Sequence, residues 1–223
     1  MSRRGFFLLL LLLSVACTPP SAAEVTVWRV AIPPMLRLWM ADLESCLPLQ
    51  TVLALDGPEA AVSLRWGEPI PLTSPAFAIG QEAPLVIVNP QSGVSHLSEA
   101  QARAIFQGQV QHWREVGGSD LPIEVWIYPP EAEGMPAFTS WLGGEVSSMA
   151  RLAMTPQEML TAVQSTPGAI GWVGERWKMP GTITVAQLPA QPILLIFSHP
   201  PSPAEARWVS CLQAQARPPS LQP

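Results

Sequence analysis

Charge is scarce in this chain: 13% of its 223 residues are Asp, Glu, Lys or Arg, and the 12 basic residues form no block. Without a basic stripe there is no electrostatic footprint for nucleic acid, so that class of function is set aside. Cysteine is scarce too, and 3 in this length supply neither a zinc cluster nor the framework of a disulfide-rich mini-domain. The 3 histidines, His96, His112 and His199, are scattered with no ligand partner at metal-binding spacing, so neither a metal nor a cofactor is expected. There is no glycine-rich phosphate loop, no internal repeat, and no carboxylate pair that stands out beyond Glu131 and Glu133. Gly93-Val94-Ser95-His96-Leu97 lacks the second glycine of a nucleophile elbow, which leaves an enzyme with no positive feature behind it.

What the chain has in quantity is apolar residues, at 48%, and proline, with 26 residues against a usual frequency of about 5%. Leu, Val, Ile, Ala and Trp are too abundant for a disordered segment, so the prolines punctuate the connections of a folded protein. The length allows one large domain or two small lobes with a substantial core.

The apolar residues are densest at the start. Arg3 and Arg4 precede Phe6, Phe7 and the leucines Leu8 to Leu13, and the run ends at Ser14-Val15-Ala16-Cys17. A spanning helix needs about 20 apolar residues; this shorter run reads as a secretory leader over residues 1–16. Cys17 at its end resembles the lipidated cysteine of a bacterial lipobox, although Ser14 stands where that motif usually has Leu. Ordinary cleavage after Ser21-Ala22-Ala23 is the alternative, and either reading exports the chain. Residues 17–24 are then a tether, and loss of the leader leaves 10 basic against 17 acidic residues, a balance of −7. Membrane association would come from the lipid on Cys17, since an acidic surface is not drawn to anionic headgroups.

Export leaves Cys46 and Cys211 free to pair. Residues 34–47 put Leu36, Trp39, Met40, Leu43 and Leu47 on one helical stripe beside Cys46, and residues 203–216 do the same with Trp208, Val209 and Leu212 beside Cys211. A bridge would clamp the last helix to the first; two buried free thiols are the alternative. Further helix starts stand at Ser98-Glu99-Ala100-Gln101, Thr155-Pro156-Gln157-Glu158 and Ser202-Pro203-Ala204-Glu205. Strands are expected at 25–32, 50–55, 61–66, 85–88, 123–128, 169–173, 183–188 and 193–198. Strands interleaved with short helices predict an α/β fold with mainly parallel sheets.

From residue 85 onward the motifs come in a specific order: Leu85-Val86-Ile87-Val88-Asn89-Pro90, Ile105-Phe106-Gln107-Gly108, Trp113-Arg114-Glu115-Val116-Gly117-Gly118 and Pro167-Gly168-Ala169-Ile170-Gly171-Trp172-Val173. This series resembles the second lobe of the phosphate-binding-protein-like family, the solute receptors of phosphate import. The residues themselves are structural: Ile105 and Phe106 a buried helix face, Trp113 a plug under a glycine turn, Pro167-Gly168 a turn into a buried strand. The resemblance implies a type II periplasmic-binding fold, with lobe one at residues 25–82 plus 190–217, lobe two at 84–188 and a tail at 218–223. It also implies a monomer that binds a small ligand in the inter-lobe cleft and delivers it to an ABC permease, with Cys46 and Cys211 both in lobe one.

The family's anion-gripping residues are replaced. The turn after the first strand reads Ala31-Ile32-Pro33-Pro34-Met35, without a hydroxyl and with two backbone donors lost to proline. At the second grip, Tyr128 stands for an arginine, Ala132-Glu133-Gly134 for Ser-Gly-Thr and Met135 for another arginine. A carboxylate about 4 Å from phosphate repels it by ~4 kcal/mol at an effective dielectric of 20. Phosphate bound in the family's manner is therefore not expected. Glu131 and Glu133 satisfy the N–H groups opening a helix at 134–143, or lie exposed without a role, or line a site for a cationic or neutral organic ligand. That site would comprise Pro33, Met35, Trp66, Tyr128, Glu131, Glu133 and Gly134. A non-transport interaction lipoprotein that kept the fold is the alternative to an importer component.

Intact-mass analysis of the protein recovered from bacterial membranes tests the first of these expectations. A lipid-modified chain beginning at Cys17 is expected, and an unmodified chain beginning at Glu24 would contradict it.

Overall fold

The computed structural model describes residues 25–57 and 60–216. The leader, Cys17, the tether and the tail lie outside the described residues. Among the described residues no helix is long and apolar enough to cross a membrane.

Among the described residues ten strands form two five-stranded sheets. The first holds β1 (Thr26–Ala31), β2 (Thr51–Leu55), β3 (Val62–Trp66), β4 (Ala76–Glu82) and β10 (Gln191–Phe197), in the order β2-β1-β3-β10-β4. The second holds β5 (Pro84–Val88), β6 (Glu124–Ile127), β7 (Arg151–Leu152), β8 (Ala169–Gly174) and β9 (Ile183–Gln187), in the order β7-β6-β8-β5-β9. This is the two-lobed α/β architecture the sequence points to, with sheets that are mixed. Pairing is parallel along β2-β1-β3 and β7-β6-β8, and antiparallel where β10 and β5 pair with their neighbours. The antiparallel pairs belong to the strands beside the two chain crossings: Ala83 alone separates β4 from β5, and residues 188–190 lead from β9 to β10.

Helices cover the sheets by their apolar faces. They are α1 (Met40–Ser45), α2 (Glu99–Phe106), α3 (Met135–Leu142), α4 (Pro156–Ser165) and α5 (Pro203–Gln215). Ser98 and Gln101 form a reciprocal capping box on α2, Ser202 and Glu205 do so on α5, and Thr155 caps α4. In the second lobe Phe138 of α3 stacks on Trp172 of β8 at 5.2 Å and meets Phe106 of α2 edge-on at 5.0 Å. Trp113 is fully buried and its indole donates to the Gly168 carbonyl at 3.0 Å. Gly168 has to be glycine, since a Cβ there would stand 2.0 Å from the Pro122 carbonyl oxygen.

The first helix departs from expectation. Residues 34–39 form a 3-10 turn, and only Met40–Ser45 are α-helical. The turn opens on proline at its first position, where the missing N–H has no helical partner, and closes i→i−3 bonds from the start, the Leu36 N–H donating to the Pro33 carbonyl at 2.9 Å. β4 was not anticipated, because Gly80, Gln81 and Glu82 break its apolar pattern; its place is set by pairing with β10.

Cys46 and Cys211 are disulfide-bonded, their Cα atoms 5.8 Å apart across a separation of 165 residues. Beside the bond, the Trp208 indole donates to the Leu43 carbonyl at 2.8 Å and Ser45 of α1 hydrogen-bonds Gln215 of α5 at 3.2 Å, so non-covalent contacts reinforce the tie. A cross-link this long removes much denatured-state freedom. Replacing both cysteines by serine should cost about 2–4 kcal/mol in urea denaturation. Equal stability of the two forms would show that the bond constrains nothing.

Candidate functional site

β3 ends beyond the reach of its neighbour. β1 pairs with it only at Val30–Val62 and Ala31–Ser63, and then turns away at Pro33. The Gly67 N–H bonds to Pro192 on the β10 side, so strand alternation points the Trp66 N–H to the vacated side. A carboxylate from the other lobe meets it there. Glu133, in the loop before α3, accepts the Trp66 N–H at 2.9 Å through one oxygen and pairs with Arg65 Nε at 2.6 Å through the other. The Glu133 side chain is 11% exposed and that of Arg65 46%. Burial pushes the Glu133 carboxyl above its ordinary value, and the Trp66 N–H and Arg65 only partly oppose this.

A second junction ties the lobes at the crossing itself. Glu82 is 3% exposed, and its carboxylate accepts from the Trp39 indole and from the Arg176 N–H at 3.1 Å. Burial raises its pKa, while both donors and the Arg176 charge lower it. The Arg176 guanidinium lies 3.8 Å from the Trp39 ring centre and pairs with Asp42, and the Trp177 indole donates to the Met35 carbonyl at 2.7 Å.

Three small cavities adjoin Glu133. One of about 280 Å³ is lined by Pro33, Asp56, Ser63, Arg65 and Glu133. A groove of about 450 Å³ runs past Trp66, Glu68, Pro130, Glu131 and Gln191. A third, also about 280 Å³, lies among Pro33, Met35, Pro129, Glu131 and Met154. Among the described residues no three metal-ligating side chains come together.

The expected site residues divide. Pro33, Glu131 and Glu133 face this region, and Glu131 is exposed. Met35 and Trp66 are 3% and 4% exposed and packed into the lobe contact, the Trp66 indole donating to the Glu82 carbonyl at 3.2 Å. Gly134 has φ of 82°, and a Cβ there would lie within about 3 Å of both Trp66 and Trp172. Tyr128 does not reach the cleft: it is fully buried edge-on against Trp172 at 4.8 Å, and burial pushes its phenol pKa far up. Nor does Glu133 cap the helix, because α3 opens on Gly134 without a side-chain acceptor. Arg65, Glu82 and Arg176 were missed. The available signal was a charged residue beside or at the end of an apolar stretch, at Arg65 between Leu64 and Trp66 and at Glu82 before the apolar run 83–88.

A family model described as PBP superfamily domain matches residues 78–191, half of the chain. The chain belongs to that superfamily. The match includes Glu82, Glu133 and Arg176 but not Arg65, Trp66 or Trp39. The phosphate-binding protein PstS of Bacillus subtilis (strain 168) is 31% identical over 88 residues, which are 39% of this chain and 29% of that protein. The chain thus matches less than a third of that relative's length. A putative phosphate ABC transporter substrate-binding protein with bound phosphate from Clostridium perfringens superposes with a TM-score of 0.76 at 13% identity, over 84% of this chain and 93% of that one. A variant OxyR2 regulatory domain from Vibrio vulnificus superposes with a TM-score of 0.59 at 11% identity, over 88% and 99%. At such identities the likeness is one of fold, and the fold serves more than one activity.

The raised pKa of Glu133 fixes a pH dependence. Its contribution to stability is full below the ordinary carboxyl value of 4.5 and is lost as pH rises through the raised one. Arg65→Met removes the partner of the charged form, so its cost should be small at pH 4 and grow to about 1–3 kcal/mol at pH 8. Urea denaturation at the two pH values checks this, and a cost independent of pH would contradict it.

Proposed function

We propose that this chain is an exported, lipid-anchored solute-binding-type protein whose lobes are held together by its own side chains. Of the two roles open to that architecture, solute shuttle for an ABC importer or interaction module at the membrane surface, the geometry favours the second. The observation that carries the reading is the Glu133 carboxylate, which occupies the cleft between Arg65 and the Trp66 N–H. A receptor is a switch because the ligand binds the closed form better than the open one. Here internal groups supply the contacts that favour closure, so closure is no longer conditional on a solute. Lobe one is taken as residues 25–82 plus 190–217, lobe two as 84–188, and the protein as a monomer anchored through Cys17.

A second reading, an importer receptor for a cationic or neutral solute, is favoured by the open grooves beside Glu68 and Glu131. It retains a small ligand and an ABC permease as partners. Neither reading involves covalent chemistry.

Thermal melting and small-angle X-ray scattering, with and without phosphate, test the proposal. A ligand at one hundred times its dissociation constant adds about 2.7 kcal/mol of stability. The expected result is an unchanged midpoint and an unchanged radius of gyration. A raised midpoint with compaction would establish a phosphate-responsive receptor.

A further inference from the structure

We propose that the cleft contains a latent site for small monocarboxylates, made by Arg65 and the Trp66 N–H, which Glu133 fills as a tethered internal ligand. The inference rests on the closed-cleft reading and deepens it. The two donors lie on consecutive residues at the end of β3, and each takes a different oxygen of one carboxylate, at 2.6 and 2.9 Å. That is a clamp for two coplanar oxygens. The carboxylate belongs to the opposite lobe, 67 residues on, and is set down by a loop whose next residue is Gly134 at positive φ. The donors are thus a feature of lobe one alone, complete before Glu133 arrives.

The surroundings select the class. Asp56 and Glu133 line one cavity with Arg65, and Glu131 and Glu68 border the adjoining groove. One guanidinium among several carboxylates suits a monoanion, and a phosphate dianion would meet more repulsion than attraction. A free carboxylate competes poorly with a tethered one, whose effective concentration is in the millimolar range or above. The intact protein is accordingly unresponsive to free carboxylates. Truncating Glu133 opens the clamp onto the neighbouring cavity of about 280 Å³, which has room for acetate.

Chemical rescue tests this. The full mature chain carrying Glu133→Ala is melted in sodium acetate, sodium formate, sodium phosphate and sodium chloride at matched ionic strength. Acetate and formate should raise its midpoint by about 3–6 °C over chloride, the shift given by a tenfold excess over the dissociation constant in a domain of this size. The unsubstituted protein and the double variant Arg65→Met, Glu133→Ala should show no such rise. A folded Glu133→Ala protein that ignores acetate and formate would overturn the site, as would equal rescue of the double variant. Stronger rescue by phosphate would overturn the assigned class. If Glu133→Ala does not fold in chloride, its soluble yield in acetate becomes the readout, with recovery supporting the site and failure in both salts overturning it. A phosphate response of the unsubstituted protein would instead contradict the closed-cleft reading.

Discussion

One buried carboxylate joins the two lobes across the cleft. Glu133 crosses from the second lobe to the first and there satisfies a backbone donor that no strand reaches and a guanidinium at the cleft edge. Its burial raises the energy of the charged form, so the pair adds little net stability over two apolar residues. Removing Arg65 would leave the Glu133 carboxylate, 11% exposed, without its charge partner, and separating the lobes would return Trp66 to water.

The second junction supports the first. Glu82 sits where the chain passes from β4 to β5, and it draws Trp39 of lobe one and the Arg176 backbone of lobe two onto the same carboxylate. Arg176 then covers Trp39, and Trp177 reaches the Met35 carbonyl. Gly174 has to be glycine for this to fit, since a Cβ there would lie 2.4 Å from a Glu82 carboxylate oxygen. The lobes therefore touch at the crossing and again at the cleft, and both ties would have to open for the lobes to separate.

Much of the fold was legible because local signals agreed with one another. The capping boxes at Ser98 and Ser202, the buried run Leu85–Val88 and the Trp113 plug each report a local constraint, and each is found where its residues place it. β4 and the 3-10 turn at Pro34–Trp39 were not legible, since one is defined by pairing with a strand more than 100 residues later and the apolar spacing of the other does not separate i→i−3 from i→i−4 bonding. The site was half legible. Glu133 stood out as a carboxylate at the glycine position of the family's Ser-Gly-Thr, and Trp66 was among the expected site residues, but Arg65 was not, because a single arginine in a half-buried strand looks like an edge charge. Tyr128 was assigned to the cleft by its place in the family pattern, and aromatic packing against Trp172 took it into the core instead.

Hydrogen exchange at the Trp66 amide of the ligand-free protein tests the central claim most directly. A donor held by Glu133 should be protected to the level of the β3 core in buffer without solute, and should lose that protection in Glu133→Ala. Fast exchange of Trp66 in the unsubstituted protein, with Leu64 remaining protected, would mean that the cleft stands open and that Glu133 does not hold it shut.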